Sequence, residues 1–424
     1  MFRWIQGWPS VALAALAGLG ASAVVFRAPE PPALTPEQEQ FRRVVQLIRS
    51  SHVDEMPADR LYGLATSALV ESLHDPFTEL MTADDYARFS AQVAGRPVGS
   101  VAASLRAAIP MPSADAVLLS DGRTGYLALR SITGQTATEV RGAVNALTLR
   151  GMRSLVLDLR GNPGGLVTEA AGVADLFLDP GLRITALRGR TERFTREYRS
   201  AQPQLWPSLP VVVIVDQSTA SSAELIAGAL QEHGRAKVVG TRTFGKGVIQ
   251  TTFPLDAGGA LKLTTARWYT PHDRNVNRPG IADGATWDAD SVAGDAGGIV
   301  PDIVVHASRR SGPERALMRA LGPDAVRFRE AIDAYAATVA ARDTIAFAPG
   351  FEPDGDMLAA LHASLPSHGI DLDRADFDGA SAHVARQLGY AVTRLTLGAE
   401  AELARRSLDD HQLGAALALL AGRR

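Results

Sequence analysis

The chain has 424 residues, too many for one compact core, and 46% apolar with 21% charged residues is the balance of a folded protein, not a disordered one. A formal charge of −3, with no basic stripe interleaved with aromatics, argues against nucleic acid as a partner. Cysteine is absent, which removes disulfides, thiolate metal sites and cysteine nucleophiles together.

The N-terminus carries Arg3 and no acid before an apolar run from Val11 to Phe26. Residues 1–27 therefore read as a signal peptide or an N-terminal membrane anchor, with Ala21-Ser22-Ala23 as a small-residue cleavage site. The expected location is exported, periplasmic or otherwise extracytoplasmic, held at the inner membrane through residues 9–26 if the segment is retained. A Pro-rich linker follows at 28–35, built on Ala28-Pro29-Glu30-Pro31-Pro32.

Helical spacing of Phe41, Val44, Val45, Leu47 and Ile48, then of Leu61, Leu64, Ala68, Leu69 and Leu73, predicts a small helical cap over 36–95. Asp75-Pro76 breaks the second helix, and Asp84-Asp85-Tyr86 starts a third. From about 96 to 307 the texture changes to short apolar runs between Gly, Asn and Asp turns. Strands at Gly125–Leu129, Ser154–Leu159 and Val211–Val215 alternate with helices over 136–149, up to Leu178, and Ser222–His233. That order predicts an α/β core with a largely parallel sheet covered on both faces. Further strands are expected at 238–240, 247–253 and 261–268, with Ile303-Val304-Val305 closing the domain. Residues 308–424 read as a helical region of about five short helices, punctuated by Pro353, Pro366 and Gly389.

Three loops of the middle region carry chemistry. Asp216 to Glu224 joins a buried strand to a helix, where α/β sheets form sites. Its serines, Ser218, Ser221 and Ser222, suit both helix capping and nucleophilic attack. Lys246 lies between Gly245 and Gly247, at the entry to a strand. Alternation along that strand turns Lys246 and Gln250 to one side. A lysine serves as general base only where burial keeps it neutral, and the amide of Gln250 can orient it without favouring the charged form. No Ser or Thr follows the lysine, so a P-loop is a weaker reading. The third loop, Asp158 to Gly165, lacks nucleotide-binding glycine spacing, and its Gly164-Gly165 amides suit an oxyanion hole. His233 would sit about 18 Å from Ser221 at 1.5 Å per residue of intervening helix, which rejects it as the base.

Together these segments resemble the carboxy-terminal processing peptidases, or tail-specific proteases. The family's D-L-R-x-N-x-G-G stands as Asp158 to Gly165, its S-x-x-E as Ser221 to Glu224, and its F-G-K-G-x-x-Q as Phe244 to Gln250. Leu263 to Pro271, Gly298 to Asp302, and Leu73-His74-Asp75-Pro76 with Tyr86 and Phe89 also look like family segments. The resemblance implies a crotonase-like or ClpP-like core and a serine endopeptidase acting on protein or peptide substrates through an acyl-enzyme. It assigns Ser221 as nucleophile, Lys246 as general base and Gln250 as its orienting partner. Backbone amides of Gly164 or Gly165, with that of Ser222, would form the oxyanion hole; no metal or organic cofactor is implied. The adjacency of Ser221 and Ser222 departs from the family's alternating serines and keeps Ser222 as a second candidate. The family's PDZ domain, which captures C-terminal tails, has no room in residues 95–124. Alternatives are a non-catalytic binding or scaffolding protein on the same fold, and a Ser–Lys amidase or esterase of small substrates. Residues 308–424 offer a place for a dimer or adaptor contact, although their apolar stripes more readily pack on one another.

Overall fold

The computed structural model describes residues 34–94, 113–256, 258–278, 297–307, 311–341 and 351–422. The apolar segment 1–27 with its cleavage or anchoring motif, linker residues 28–33 and most of the shortened stretch, 95–112, lie outside them. The chain divides into two compact units, Met1–Ala68 and Leu69–Arg424. In the first, helix α1 (Pro36–Ser51) starts at a capping box in which Thr35 and Gln38 satisfy each other's backbone. Helix α2 (Ala58–Glu71) follows. No helix among the described residues is long and apolar enough to cross a membrane.

The second unit opens with β1 (Glu79–Met81) and α3 (Ala83–Val93). Its main sheet holds β2 (Ala114–Leu118), β3 (Thr124–Leu129), β4 (Ser154–Asp158), β7 (Val211–Val215), β8 (Ala236–Gly240) and β11 (Ile303–Val304). Their spatial order is β11-β8-β7-β4-β3-β2, parallel throughout except for β2 against β3. Crossovers run through α4 (Thr136–Leu149), α5 (Val167–Asp175) and α6 (Ser222–Glu232).

Strand alternation explains the uninterrupted apolar runs, because both faces are buried. Leu127, Leu155, Leu157, Val211 and Val213 point into one core with α4, α5 and α6. Ala128, Val156, Val212, Ile214 and Val239 point into another, roofed by Leu413, Ala416 and Leu420.

One expectation is corrected here. Strands β9 (Val248–Pro254) and β10 (Ala260–Tyr269) do not extend the parallel sheet. They form a second, antiparallel sheet with β1, β5 (Arg183–Gly189) and β6 (Arg196–Arg199). The architecture is therefore one mixed, mostly parallel sheet and one antiparallel sheet, with flanking helices. Pairings such as Arg267 with Arg188 join segments far apart in sequence, and local pattern does not encode them.

The C-terminal region holds seven helices among the described residues, not about five. They are α7 (Gly312–Leu321), α8 (Ala325–Ala340), α9 (Gly355–Ser364), α10 (Arg374–Gly379), α11 (Ser381–Leu397), α12 (Ala399–Ser407) and α13 (His411–Gly422). Gly389 does not break a helix but lies inside α11. A Cβ there would come within 2.7 Å of the Arg405 guanidinium, which donates to the Gly389 carbonyl at 3.2 Å. Helices α7 to α11 share their own core, built on Leu317, Phe328, Leu361, Phe377 and Leu388. Helix α13 instead lies on the main sheet. Arg160 secures its start, pairing with Asp410 at 2.7 Å and donating to Gln412 at 3.1 Å while holding Asp158 at 2.6 Å.

Candidate active site

Ser221 stands where the fully buried β7 gives way to α6, as N-cap of that helix. The turn before it is tied down. Asp216 Oδ1 accepts from the N–H groups of Ser218, Thr219 and Gly161, and the Thr219 hydroxyl donates to the Leu159 carbonyl at 2.9 Å. Ser221 itself has φ 57° and ψ −123°, a backbone region that non-glycine residues seldom occupy. Such strain persists only where surrounding contacts impose it, and it concentrates at functional sites. The other two serines are placed differently. Ser218 lies exposed on the turn, whereas Ser222 is 2% exposed and its Oγ finds no hydrogen-bond partner among the described residues. At 9% exposure, Ser221 combines limited access with the strained position.

Lys246 enters from the loop between β8 and β9. Gly247 permits the close approach that its type suggests: a Cβ there would stand 2.4 Å from Asn277 N. Arg278 N–H donates to the Gly245 carbonyl, and Trp268 Nε1 donates to the Lys246 carbonyl at 2.8 Å. Burial, with the charge of Lys262 added, holds the Lys246 pKa below its ordinary value, against the pull of Asp75 and Glu224. This is the direction a general base requires.

What unites the two loops is Glu224, which in the sequence stands only as the last residue of S-x-x-E. It is fully buried. One carboxylate oxygen accepts from the Thr243 hydroxyl at 2.5 Å and Gly245 N–H at 2.8 Å. The other accepts from Ser221 N–H at 2.7 Å and Lys246 N–H at 2.9 Å. Burial pushes its pKa up and the hydrogen bonds oppose that. All four partners are donors, so the ionised form satisfies them all. The S-x-x-E spacing was the available signal, since it matches a helix capping box.

The loop after β4 lies against the serine. A Cβ on Gly164 would fall 2.9 Å from Ser221 Cβ and 3.0 Å from Ser222 N. Gly164 N–H already donates to Asn162 Oδ1 at 2.8 Å. Among the described residues, Gly165 and Ser222 are left with N–H groups that no acceptor takes. Asn162 is itself buried, and its side chain donates to the Leu129 carbonyl.

Lys246 Nζ stands 4.7 Å from the Phe77 ring centroid, and Gln250 Nε2 donates to Thr264 Oγ1 at 3.3 Å. No hydrogen bond joins Lys246 Nζ to Ser221 Oγ or to Gln250 among the described contacts. His233 caps the far end of α6, its Nε2 2.7 Å from the Arg183 carbonyl oxygen, away from the serine. Among the described residues, no group of three or more His, Asp or Glu side chains is placed to hold a metal ion.

Ser221 at a strained strand-to-helix turn, tied through Glu224 to the loop of the half-buried Lys246 and packed against a glycine loop, brings together groups that nucleophilic acyl transfer can use. Residues 123–285, less than half of the chain, match the model of peptidase family S41. A carboxy-terminal-processing protease of Bartonella bacilliformis is 39% identical over 190 residues, covering 44% of this chain and 39% of that protein. The carboxyl-terminal-processing protease of a Picosynechococcus species is 40% identical over 159 residues, covering 38% of each. The chain thus spans about two fifths of the length of these curated relatives. Among solved structures, the photosystem II D1 C-terminal processing protease aligns at TM-score 0.43 and 19% identity, over 64% of this chain and 94% of that one.

Proposed function

We propose that this protein is an exported serine endopeptidase in which Ser221 attacks the peptide carbonyl and Lys246 is the general base. The observation that carries the reading is the Glu224 carboxylate, which binds the backbone of Ser221 and of Lys246 at once. Neutral Lys246 takes the hydroxyl proton as Oγ bonds to carbon, and Gln250 orients the amine. The developing oxyanion is received by the N–H groups of Gly165 and Ser222. Lys246 then returns the proton to the leaving amine, and water releases the acyl group by the same route reversed. Catalytic hydrogen bonds of a substrate-free enzyme commonly tighten only with substrate bound, so the open Ser221–Lys246 gap is compatible with this role. A crotonase-like or ClpP-like core is the finer fold reading, supported by the parallel strands with helices packed on them. The relatives' names speak of C-terminal processing; with so short a stretch between cap and core, tail selection is not part of the proposal.

Wild-type protein is expected to cleave casein or an unstructured peptide. Ser221→Ala and Lys246→Ala are each expected to lose roughly a thousandfold or more in kcat. Undiminished cleavage by Lys246→Ala would sink the mechanism, and inactive wild type that still binds peptide would make this a binding protein. Export rests on the composition of residues 1–27. Fractionation of cells is expected to place the protein outside the cytoplasm, and recovery in the cytosol would refute it.

A further inference from the structure

Phe77 and Asp75 belong to a turn that no step of the mechanism uses, yet that turn forms the immediate surroundings of the base. Asp75 builds it. Its carboxylate accepts from Phe77 N–H at 3.0 Å and from the Thr78 hydroxyl at 2.6 Å, and the Thr264 hydroxyl faces it. Thr78 Oγ1 in turn accepts from Thr264 N–H at 3.1 Å, and Thr264 Oγ1 accepts from Gln250. The turn is thereby fixed to β10 and, through Thr264, to Gln250. Its ring faces Lys246 Nζ at 4.7 Å, within the range where an aromatic face attracts a cation. A neutral amine feels no such attraction. The contact therefore depends on the protonation state of the lysine.

We propose that Phe77 is a positioning residue, a rest on which the Lys246 ammonium sits while protonated and which it leaves for Ser221 Oγ once the proton has gone to solvent. The inference rests on the Ser–Lys reading and adds to it a link between proton loss and engagement of the base. Other charges facing Lys246 are Asp75 from the turn, Lys262 from β10 and Glu224 from α6; Lys262 is itself paired with Glu79 of β1 at 2.6 Å.

The test is the pH dependence of kcat/KM for peptide cleavage, run beside acetic anhydride labelling of Lys246 across pH, read by peptide mass spectrometry. Phe77→Leu keeps the site apolar but removes the aromatic face. The acidic limb and the labelling midpoint are both expected to move down by about half to one pH unit. Phe77→Tyr is expected to keep both in place, and Asp75→Asn to move both down by removing an anion. A purely structural role would lower rates evenly and leave both midpoints unmoved, which would overturn the proposal. Because labelling needs no turnover, an inactive wild type would refute the peptidase reading while still testing the Phe77 contact.

Discussion

Replacing Glu224 by Ala is expected to leave little folded protein, and replacing it by Gln to give a folded but crippled one. Alanine strands three N–H groups and one hydroxyl in a pocket that water does not reach. An unmatched buried polar group costs about 1–3 kcal/mol, and even with partial relaxation the total comes to roughly 4 kcal/mol or more. A typical domain has about 5–15 kcal/mol of stability in all. Glutamine is nearly isosteric and keeps one acceptor oxygen for two donors, but its NH2 meets the other two donors head-on. The loops bearing Ser221 and Lys246 then lose their common anchor. Denaturant midpoints and peptide cleavage rates measure the two effects. Wild-type values for both in Glu224→Gln would show that the carboxylate does not organise the site.

Gly165→Ala is the second substitution with a large expected effect. At φ 155°, a Cβ would stand 1.8 Å from the Ile132 carbonyl oxygen and 2.7 Å from its carbon. Both are backbone atoms of the bridge in which Ile132 N–H donates to Gly164 O and Leu166 N–H to Ile132 O. The only relief is to part that bridge, which moves the Gly165 amide. Loss of one oxyanion donor typically lowers kcat by about 100- to 1000-fold, and overpacking costs about 1–3 kcal/mol besides. Gly161→Ala is the control. It also has positive φ, 69°, but nothing lies within 4 Å of the added carbon. It is expected to cost about 1 kcal/mol and leave the cleavage rate near wild type. Similar rates for both variants would remove the Gly165 amide from the proposed site.

The parts of this site that were legible in the sequence are those whose meaning is local. Ser221 follows an apolar run and opens a helix, and Lys246 is flanked by glycines that a close approach requires. Spacing alone leaves Ser218, Ser221 and Ser222 open as nucleophile, and it is the family resemblance that singles out Ser221. Glu224 is the opposite case. Its spacing to Ser221 is that of an ordinary helix cap, so nothing local says that its other partners come from residues 243–246. Phe77 reads as one more apolar residue after a proline, and only the β1–β10 pairing brings its turn to the base. The same limit explains the second sheet. Strands β9 and β10 carry strand pattern, but pattern does not name a partner. Gly389 shows a different ambiguity, because glycine suits both a helix break and a close approach. The choice depended on Arg405, a residue of the next helix.

The roof that α13 forms over the main sheet bears on how the protein is made. A chain emerges from the ribosome N-terminus first, so the six strands exist before the helix that covers one of their faces. Until Leu413, Ala416 and Leu420 emerge, the outer surfaces of Val156, Val212, Ile214 and Val239 remain an apolar plane open to other nascent chains. Arg160 meanwhile lacks Asp410 and Gln412. The loop that carries the Gly164 and Gly165 amides therefore gains this tie to α13 only at the end of synthesis.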